Sequence, residues 1–384
     1  MRKELRNIWQ VSQMQSDFNE HDVIYMKRAI ELAKLGVRET TPNPLVGCVI
    51  VKDGKIISEG WHHKYGSDHA EADAVKKCGE SIEGASVYVT LEPCSHYGKT
   101  PPCAKLLAEH RPKEVIIAMG DPNPKVNGRG IEILKDAGIK VRMPLLEKEC
   151  RYLNRGFLSR IVRGRPWVTV KSAVTLDGRI ALPNGESKWI TGEEARLEVQ
   201  KMRAENDALL TGVGTIAADD PQMTVRDVCG RNPLRVIVDP RLRIPENAKI
   251  FNGDDRIIIF CDLDASEGKI ARFEAKGAEI VRVDFKSACP MTKILSNLGE
   301  NGINYLMVEA GAKTVSSFFA ERLADEFVMF AAPKIAGKGL GFAEYFEIPS
   351  LSETVNIKNL TVDKCGEDLK IKGVAECSRD WLKL

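Results

Sequence analysis

The chain has 384 residues, 43% hydrophobic and 29% charged, with a formal net charge of +2. That length suits two domains with separate cores, and the near balance of charge argues against a nucleic-acid-binding surface. No apolar run approaches the roughly 20 residues that span a bilayer, and the start "MRKELRNIWQVSQMQSDFNE" lacks the apolar stretch of a secretory signal.

Residues 1–20 read as a short extension. Residues 22–35 carry apolar residues at helical spacing, with Asp22 as the candidate N-cap and Gly36 as the stop. "LVGCVIV" (45–51), the turn "KDGK" and "IISEGW" predict a hairpin. A short helix over 70–78 closes at Gly79, and a strand ends at Pro93-Cys94. "PPCAKLLAEH" opens a helix, since proline is tolerated in the first turn. Strand "EVIIAMG", helix "GRGIEILKDAG" and strand "IKVRM" complete a first α/β pattern. The arginine-rich "RYLNRGFLSRIVRGRP" (151–166) marks the domain boundary, dividing 21–165 from 166–384. A second α/β pattern follows: "WVTVKSAVTLDGRIA", a helix near 193–204, strands "DALLTG", "LRVIVD", "RIIIF", "EIVRV" and "NYLMVEAG", a helix "TVSSFFAERLA" and a strand "EFVMFAAP". The last forty residues read as short strands and turns.

Ten scattered cysteines point to reduced thiols and a cytoplasmic protein. All six histidines lie at or before His110, so chemistry in the second half must proceed without one.

His69, Cys94 and Cys103 have the right ligand types for a catalytic zinc, which takes three protein ligands and leaves a fourth position open. Zinc over other metals follows from ligand softness. Glu71 is the natural proton carrier. Nucleobase deaminases carry His-x-Glu followed by Pro-Cys-x-x-Cys. Here His69-Ala70-Glu71 and Pro93-Cys94 match, and the second cysteine follows after eight residues. The competing reading is two buried cysteines and an incidental histidine. In the second half, "TGVGTIAADDP" (211–221) is a weak Gly-x-Gly signal whose plain reading is a loop. "VEAGAKTVSSFFAERLA" (308–324) places a small-residue turn before a helix opening at Thr314 to Ser317. That suits an anion such as a dinucleotide phosphate, or is simply a capped helix.

Four stretches, "TPNPLVGCVIV" (41–51), "GWHHKYGSDHAEADA" (60–74), "EPCSHYGKTPPC" (92–103) and "DPNPKVNGRG" (121–130), make the first half resemble the bifunctional deaminase/reductase family of riboflavin biosynthesis. "KSAVTLDGRIA" (171–181), "GESKWIT" (185–191), residues 202–226 and "VEAGAKTVSSFF" (308–319) extend the resemblance through the second half. It implies a cytidine-deaminase-like three-layer domain and a dihydrofolate-reductase-like domain, both α/β. It implies zinc-dependent hydrolytic deamination of a diaminopyrimidinone bearing a phosphoribosylamino group, then NADPH reduction of the ribosyl chain to ribityl. By the resemblance Asn43, His62, His96 and Lys99 hold the deaminase substrate. Ala173, Trp189, Thr215, Asp219 and the turn Gly311, Ala312, Lys313, Thr314, Val315, Ser316 and Ser317 hold NADPH. Ser187, Arg203, Met223, Arg226 and Glu309 hold the reductase substrate.

Plainer readings stand beside these. His62 and His63 suit a solvated turn, and Arg203 a solvated helix face. Asp121 and Asn123 fit a turn as well as a ligand contact, and Lys171 and Asp177 match the family pattern without a role. The expected partners are small phosphoribosylaminopyrimidines, with no nucleic acid and no membrane, in a homo-oligomer, dimer or tetramer. The competing functions are a nucleic-acid deaminase with a binding module and a deaminase with a scaffold domain.

Overall fold

The computed structural model describes residues 18–97, 101–124, 126–253 and 255–383. Its contacts divide the chain into two compact units, one ending at Val162 and one running from Arg163 to Lys383.

The first unit opens with helix α1 (Glu20–Lys34), capped by Asn19. Asn19 Oδ1 accepts the Asp22 amide at 2.9 Å and Asp22 Oδ2 accepts the Asn19 amide at 3.0 Å, a capping box. Asp22 is therefore the third residue inside the helix and not its cap; residues 1–17 of the expected extension lie outside the described residues. Five strands follow in the order β2–β1–β3–β4–β5: β1 (Gly47–Lys52), β2 (Lys55–Trp61), β3 (Ser86–Val89), β4 (Glu114–Ile117) and β5 (Lys140–Arg142). Strand β1 runs antiparallel to β2 and β3, whereas β3, β4 and β5 are parallel. Helices α2 (Ala70–Lys77), α3 (Cys103–His110) and α4 (Arg129–Asp136) connect these strands. Helix α2 lies close on β2 because Gly60 has no Cβ; one there would sit 2.4 Å from the Ala70 carbonyl oxygen.

This topology gathers one end of the sheet. Gly47 opens β1 opposite Trp61, the last residue of β2, and Cys48 opposes Val89, the last of β3. Val89 pairs with Ile117 at the end of β4. The segments that leave these ends carry Asn43, His62, Cys94 and Asp121, so residues distant in sequence converge beyond the strand ends.

The arginine-rich stretch near whose end the boundary was expected lies in helices α5 (Glu147–Leu153) and α6 (Arg155–Arg163). Its arginines lie among Phe157, Leu158 and Ser159, which are buried, so a strong amphipathic pattern hides behind the charge.

The second unit is built on a nine-stranded sheet, ordered β11–β10–β9–β8–β12–β6–β13–β16–β15. In chain order its elements are β6 (Trp167–Thr175), β7 (Arg179–Ala181), α7 (Glu193–Glu205), β8 (Ala208–Gly212), α8 (Val213–Asp219), β9 (Leu234–Val238) and β10 (Ile257–Asp262). Then come α9 (Glu267–Glu274), β11 (Ala278–Val283), α10 (Pro290–Glu300), β12 (Tyr305–Val308), α11 (Ala312–Ala320) and β13 (Glu326–Ala332). The chain closes with β14 (Leu340–Gly341), β15 (Ile357–Cys365), β16 (Asp368–Ala375) and α12 (Glu376–Leu382). Neighbours from β11 to β13 are parallel; β16 and β15 add antiparallel strands at the edge. Both units are thus mixed α/β, as expected.

Four expectations fail here. Residues 213–219 are helix α8, not loop, because Val213 and Ile216 bury against the core. Helix α11 begins at Ala312, two residues before Thr314. Helices α9 and α10 were not anticipated, although Met291, Ile294, Leu295 and Leu298 recur at helical spacing and are buried. The final segment holds a long hairpin and a helix, where short strands and turns were expected; the outward residues of β15 leave it without a clear alternation.

Candidate functional site

A cavity of about 400 Å³ opens at the converging strand ends of the first unit, lined among others by Asn43, His62, His69, Glu71, Cys94 and His96. His69 caps α2 and Glu71 is its second residue, which sets both at one helix end although they are two apart. Cys103 is the first residue of α3 after Pro102, and Cys94 follows the end of β3. His69 Nδ1 lies 3.4 Å from each sulfur, and the Cys103 amide donates to Cys94 Sγ at 3.3 Å. Among the described residues, these three form the His/Cys/Asp/Glu group close enough to share a metal, with ligand atoms within 4.8 Å of one another.

The electrostatics fit a cation. Hydrogen bonding from the Cys103 thiol, against burial and with help from His69 and the Cys103 amide, brings Cys94 down to about 4. The same partnership pushes the Cys103 thiol up. One thiolate is therefore favoured by the protein alone, and a second needs a positive charge between the sulfurs, which a zinc ion supplies. Contact with Cys94 raises His69.

Glu71 is 3% exposed, and burial with the nearby Cys94 thiolate raises it to about 7. A carboxyl placed there exchanges protons near neutrality. His62 is 2% exposed, so it is not on a solvated turn. Its Nδ1 donates to the Asp68 carbonyl at 2.9 Å, which leaves Nε2 to accept from Asn43 Nδ2 at 3.1 Å. Burial lowers His62 and favours that neutral form. Lys99 lies outside the described residues.

Asp121 and Asn123, which sequence reasoning left as turn or ligand, also line the cavity. Burial, with the Glu92 carboxylate nearby, raises Asp121 to about 6. Tyr65, Glu92 and Phe157 line it as well and were not anticipated. An acidic residue directly before Pro-Cys was the available sign for Glu92.

The second unit holds a cavity of about 880 Å³. Val308 pairs with Val170 on one side and Leu210 on the other, so Glu309 and Lys171, the next residues, emerge side by side. Lys171 Nζ lies 3.2 Å from Glu309 Oε1 and Arg203 Nε 2.9 Å from Glu309 Oε2. Arg203 also donates to the Thr224 carbonyl and is 7% exposed, so it is not on a solvated face. Burial opposes ionisation of Glu309, yet Arg203 and Lys171 hold its carboxyl well below the usual range.

Ala173, Ser187, Trp189, Thr215, Asp219, Arg226 and Gly311 line the same cavity. Thr215 Oγ1 accepts the Gly311 amide at 3.0 Å, which fixes the turn before α11. The lining stops at Gly311: Ala312, Val315 and Ser316 are buried, Ser316 Oγ accepting the Tyr345 amide. Lys313, Thr314 and Ser317 follow on the same helix outside the lining. Met223 is 2% exposed and packs in the core with Val199 and Leu209, so it supports the site from behind and does not face it. Asp177 accepts from Thr175 Oγ1 and the Ala336 and Gly337 amides, a loop staple, and is lowered to about 2 by those bonds.

Residues 19–119 match the cytidine and deoxycytidylate deaminase zinc-binding region, and residues 166–371 match the RibD C-terminal domain. The riboflavin biosynthesis protein RibD of Aquifex aeolicus is 42% identical over 353 residues, covering 92% of this chain and 98% of that one. The crystallised Acinetobacter baumannii RibD aligns with a TM-score of 0.85 at 39% identity, covering 93% of this chain and 99% of that one. A Thermotoga maritima diaminohydroxyphosphoribosylaminopyrimidine deaminase/5-amino-6-(5-phosphoribosylamino)uracil reductase aligns at 0.83 with 38% identity, covering 92% and 99%.

Proposed function

Because the chain belongs to the RibD family of riboflavin-biosynthesis proteins, we propose that its two cavities carry the two successive reactions of that bifunctional enzyme. The enzyme is a deaminase and a reductase. The deaminase reaction hydrolyses 2,5-diamino-6-(5-phosphoribosylamino)pyrimidin-4(3H)-one with release of ammonia, and the reductase reaction converts the ribosyl chain to ribityl. The observation that carries the first assignment is the His69–Cys94–Cys103 cluster beside buried Glu71.

His69, Cys94 and Cys103 hold one zinc ion, which when bound supplies Lewis-acid activation of water. Glu71 would take one proton from the attacking water and deliver it to the pyrimidine nitrogen, then carry the second, from the hydroxyl newly added to carbon, to the leaving amine, so C–N exchanges for C–O and ammonia departs. Asn43 and His62 orient the base through their mutual hydrogen bond. His96 lines the cavity at an exposed position and meets the phosphoribosyl group; Lys99 is assigned to the same group by the family resemblance alone.

In the second cavity NADPH supplies the hydride. Its volume suits a dinucleotide beside substrate. Ala173, Trp189, Thr215, Asp219 and Gly311 would hold the cofactor. A carboxyl held as low as Glu309 is a poor proton acceptor near neutrality, so Glu309 serves as charge partner and hydrogen-bond acceptor. Lys171 gives a proton to the sugar ring oxygen as the C1′–O bond opens. Arg203 and Arg226 meet the anionic substrate together with Ser187. Ten cysteines without a disulfide support a reducing compartment, which we take as the cytoplasm; no described helix is long and apolar enough to cross a membrane.

The test is one assay on purified protein with the diaminopyrimidinone substrate, with and without NADPH. Ammonia is expected in both, with absorbance at 340 nm falling only once deamination has begun. Ammonia with no oxidation of NADPH would leave the second unit without its reaction. Arg226 is exposed on the cavity lining. Arg226→Ala is expected to raise the reductase KM about tenfold, the loss of one charge-assisted contact, while ammonia release is unchanged. Equal loss of both activities would point to a folding defect.

A further inference from the structure

We propose that Glu92 is a positioning residue of the deaminase: its carboxylate locks the loop carrying Asp121, Asn123 and Val126 onto the turn that presents Cys94. Glu92 is 4% exposed and lines the cavity. Its Oε2 accepts the amides of Asp121 at 3.3 Å and Gly128 at 3.1 Å. Its Oε1 accepts those of Gly130 at 3.0 Å and Ile131 at 3.4 Å. Its own amide donates to the Met119 carbonyl at 2.9 Å.

A carboxylate out of water is costly unless its oxygens are satisfied, and here backbone amides do so. Three of them belong to the start of α4, whose N-cap, Gly128, has no side chain to offer. Glu92 therefore caps that helix from another strand end, and its negative charge suits the helix N-terminus. The fit is close. A Cβ on Gly130 would lie 2.0 Å from the Pro93 carbonyl oxygen and 3.2 Å from Glu92 Oε1, so glycine is what lets α4 seat against the Pro93-Cys94 step. Both partners of this junction line the cavity: Cys94 on one side, Asp121, Asn123 and Val126 on the other. A shift of the junction moves the substrate-facing loop relative to the metal ligands.

The inference rests on reading this cavity as the deaminase site. A wild-type chain that binds zinc and releases no ammonia removes that reading; an active wild type leaves the role of Glu92 to its variants. Glu92→Gln keeps the shape but turns an NH2 toward two amide donors. In the full-length protein, it is expected to keep wild-type zinc content by metal analysis. It should also keep wild-type NADPH oxidation on substrate already deaminated. Its deaminase KM should rise about tenfold to a hundredfold, the scale of an ångström-sized misplacement, with a smaller change in kcat. Gly130→Ala leaves the carboxylate intact and pushes the same junction apart, and it should move KM in the same direction. Unchanged KM in zinc-loaded Glu92→Gln overturns the proposal. So does zinc loss with kcat falling at constant KM, which would make Glu92 a guard of the metal ligand only.

Discussion

Glu71→Gln should lose deamination by about a thousandfold, roughly 4 kcal/mol of barrier, while binding as much zinc as the wild type. The substitution keeps the side chain's volume and a hydrogen-bonding carbonyl oxygen, so the 3% exposed site should not collapse. It removes the ability to take and return a proton. Glu71 is absent from the group of atoms close enough to share the metal, which is His69, Cys94 and Cys103. Metal content should therefore be insensitive to it. NADPH oxidation on pre-deaminated substrate should also be untouched, since that chemistry lies in the other unit. Metal analysis beside ammonia release separates the outcomes: zinc lost together with activity would make Glu71 a ligand, and near-normal ammonia release would give its proton work to another group.

How much of this was legible depended on where each residue's partners lie. His69, Glu71, Cys94 and Cys103 could be picked out as candidates because metal-ligand chemistry restricts residue type and the motif is short, and the fold brings the histidine and the two cysteines together. The burial of His62 was not legible: its partners, the Asp68 carbonyl and Asn43, are reached only when β1 and β2 bring their ends together. Glu92 escaped for a similar reason. Its partners are backbone amides 29 to 39 residues away, which leave no side-chain signature. Helices α5 and α6 hid behind arginines, and α8 behind Gly214, whose cost in a helix was outweighed by burial of Val213 and Ile216. Met223 kept its apolar character but faces the core, because residue type alone does not say on which side of a cavity wall a side chain points.

Lys171→Met should reduce the reductase kcat by about a hundredfold to a thousandfold, the usual range for a lost proton donor, with ammonia release unchanged. Lys171 received no role from sequence, and its place beside Glu309 follows from the register of β6 and β12, Val170 opposite Val308. Methionine keeps the length of lysine's apolar stem and removes the ammonium. Arg203 would still hold Glu309 Oε2 at 2.9 Å, so the buried carboxylate keeps one cation and the fold should survive. Single-turnover NADPH oxidation on the deaminated substrate reads the step directly. A fall in rate at saturating substrate places Lys171 in the chemistry. An unchanged rate with a raised KM reduces it to a binding charge. Glu309→Gln supplies the complementary reading: it leaves the ammonium without its partner, and in the double variant the two losses should fall short of additive, because residues that share one hydrogen-bonded pair act as a unit.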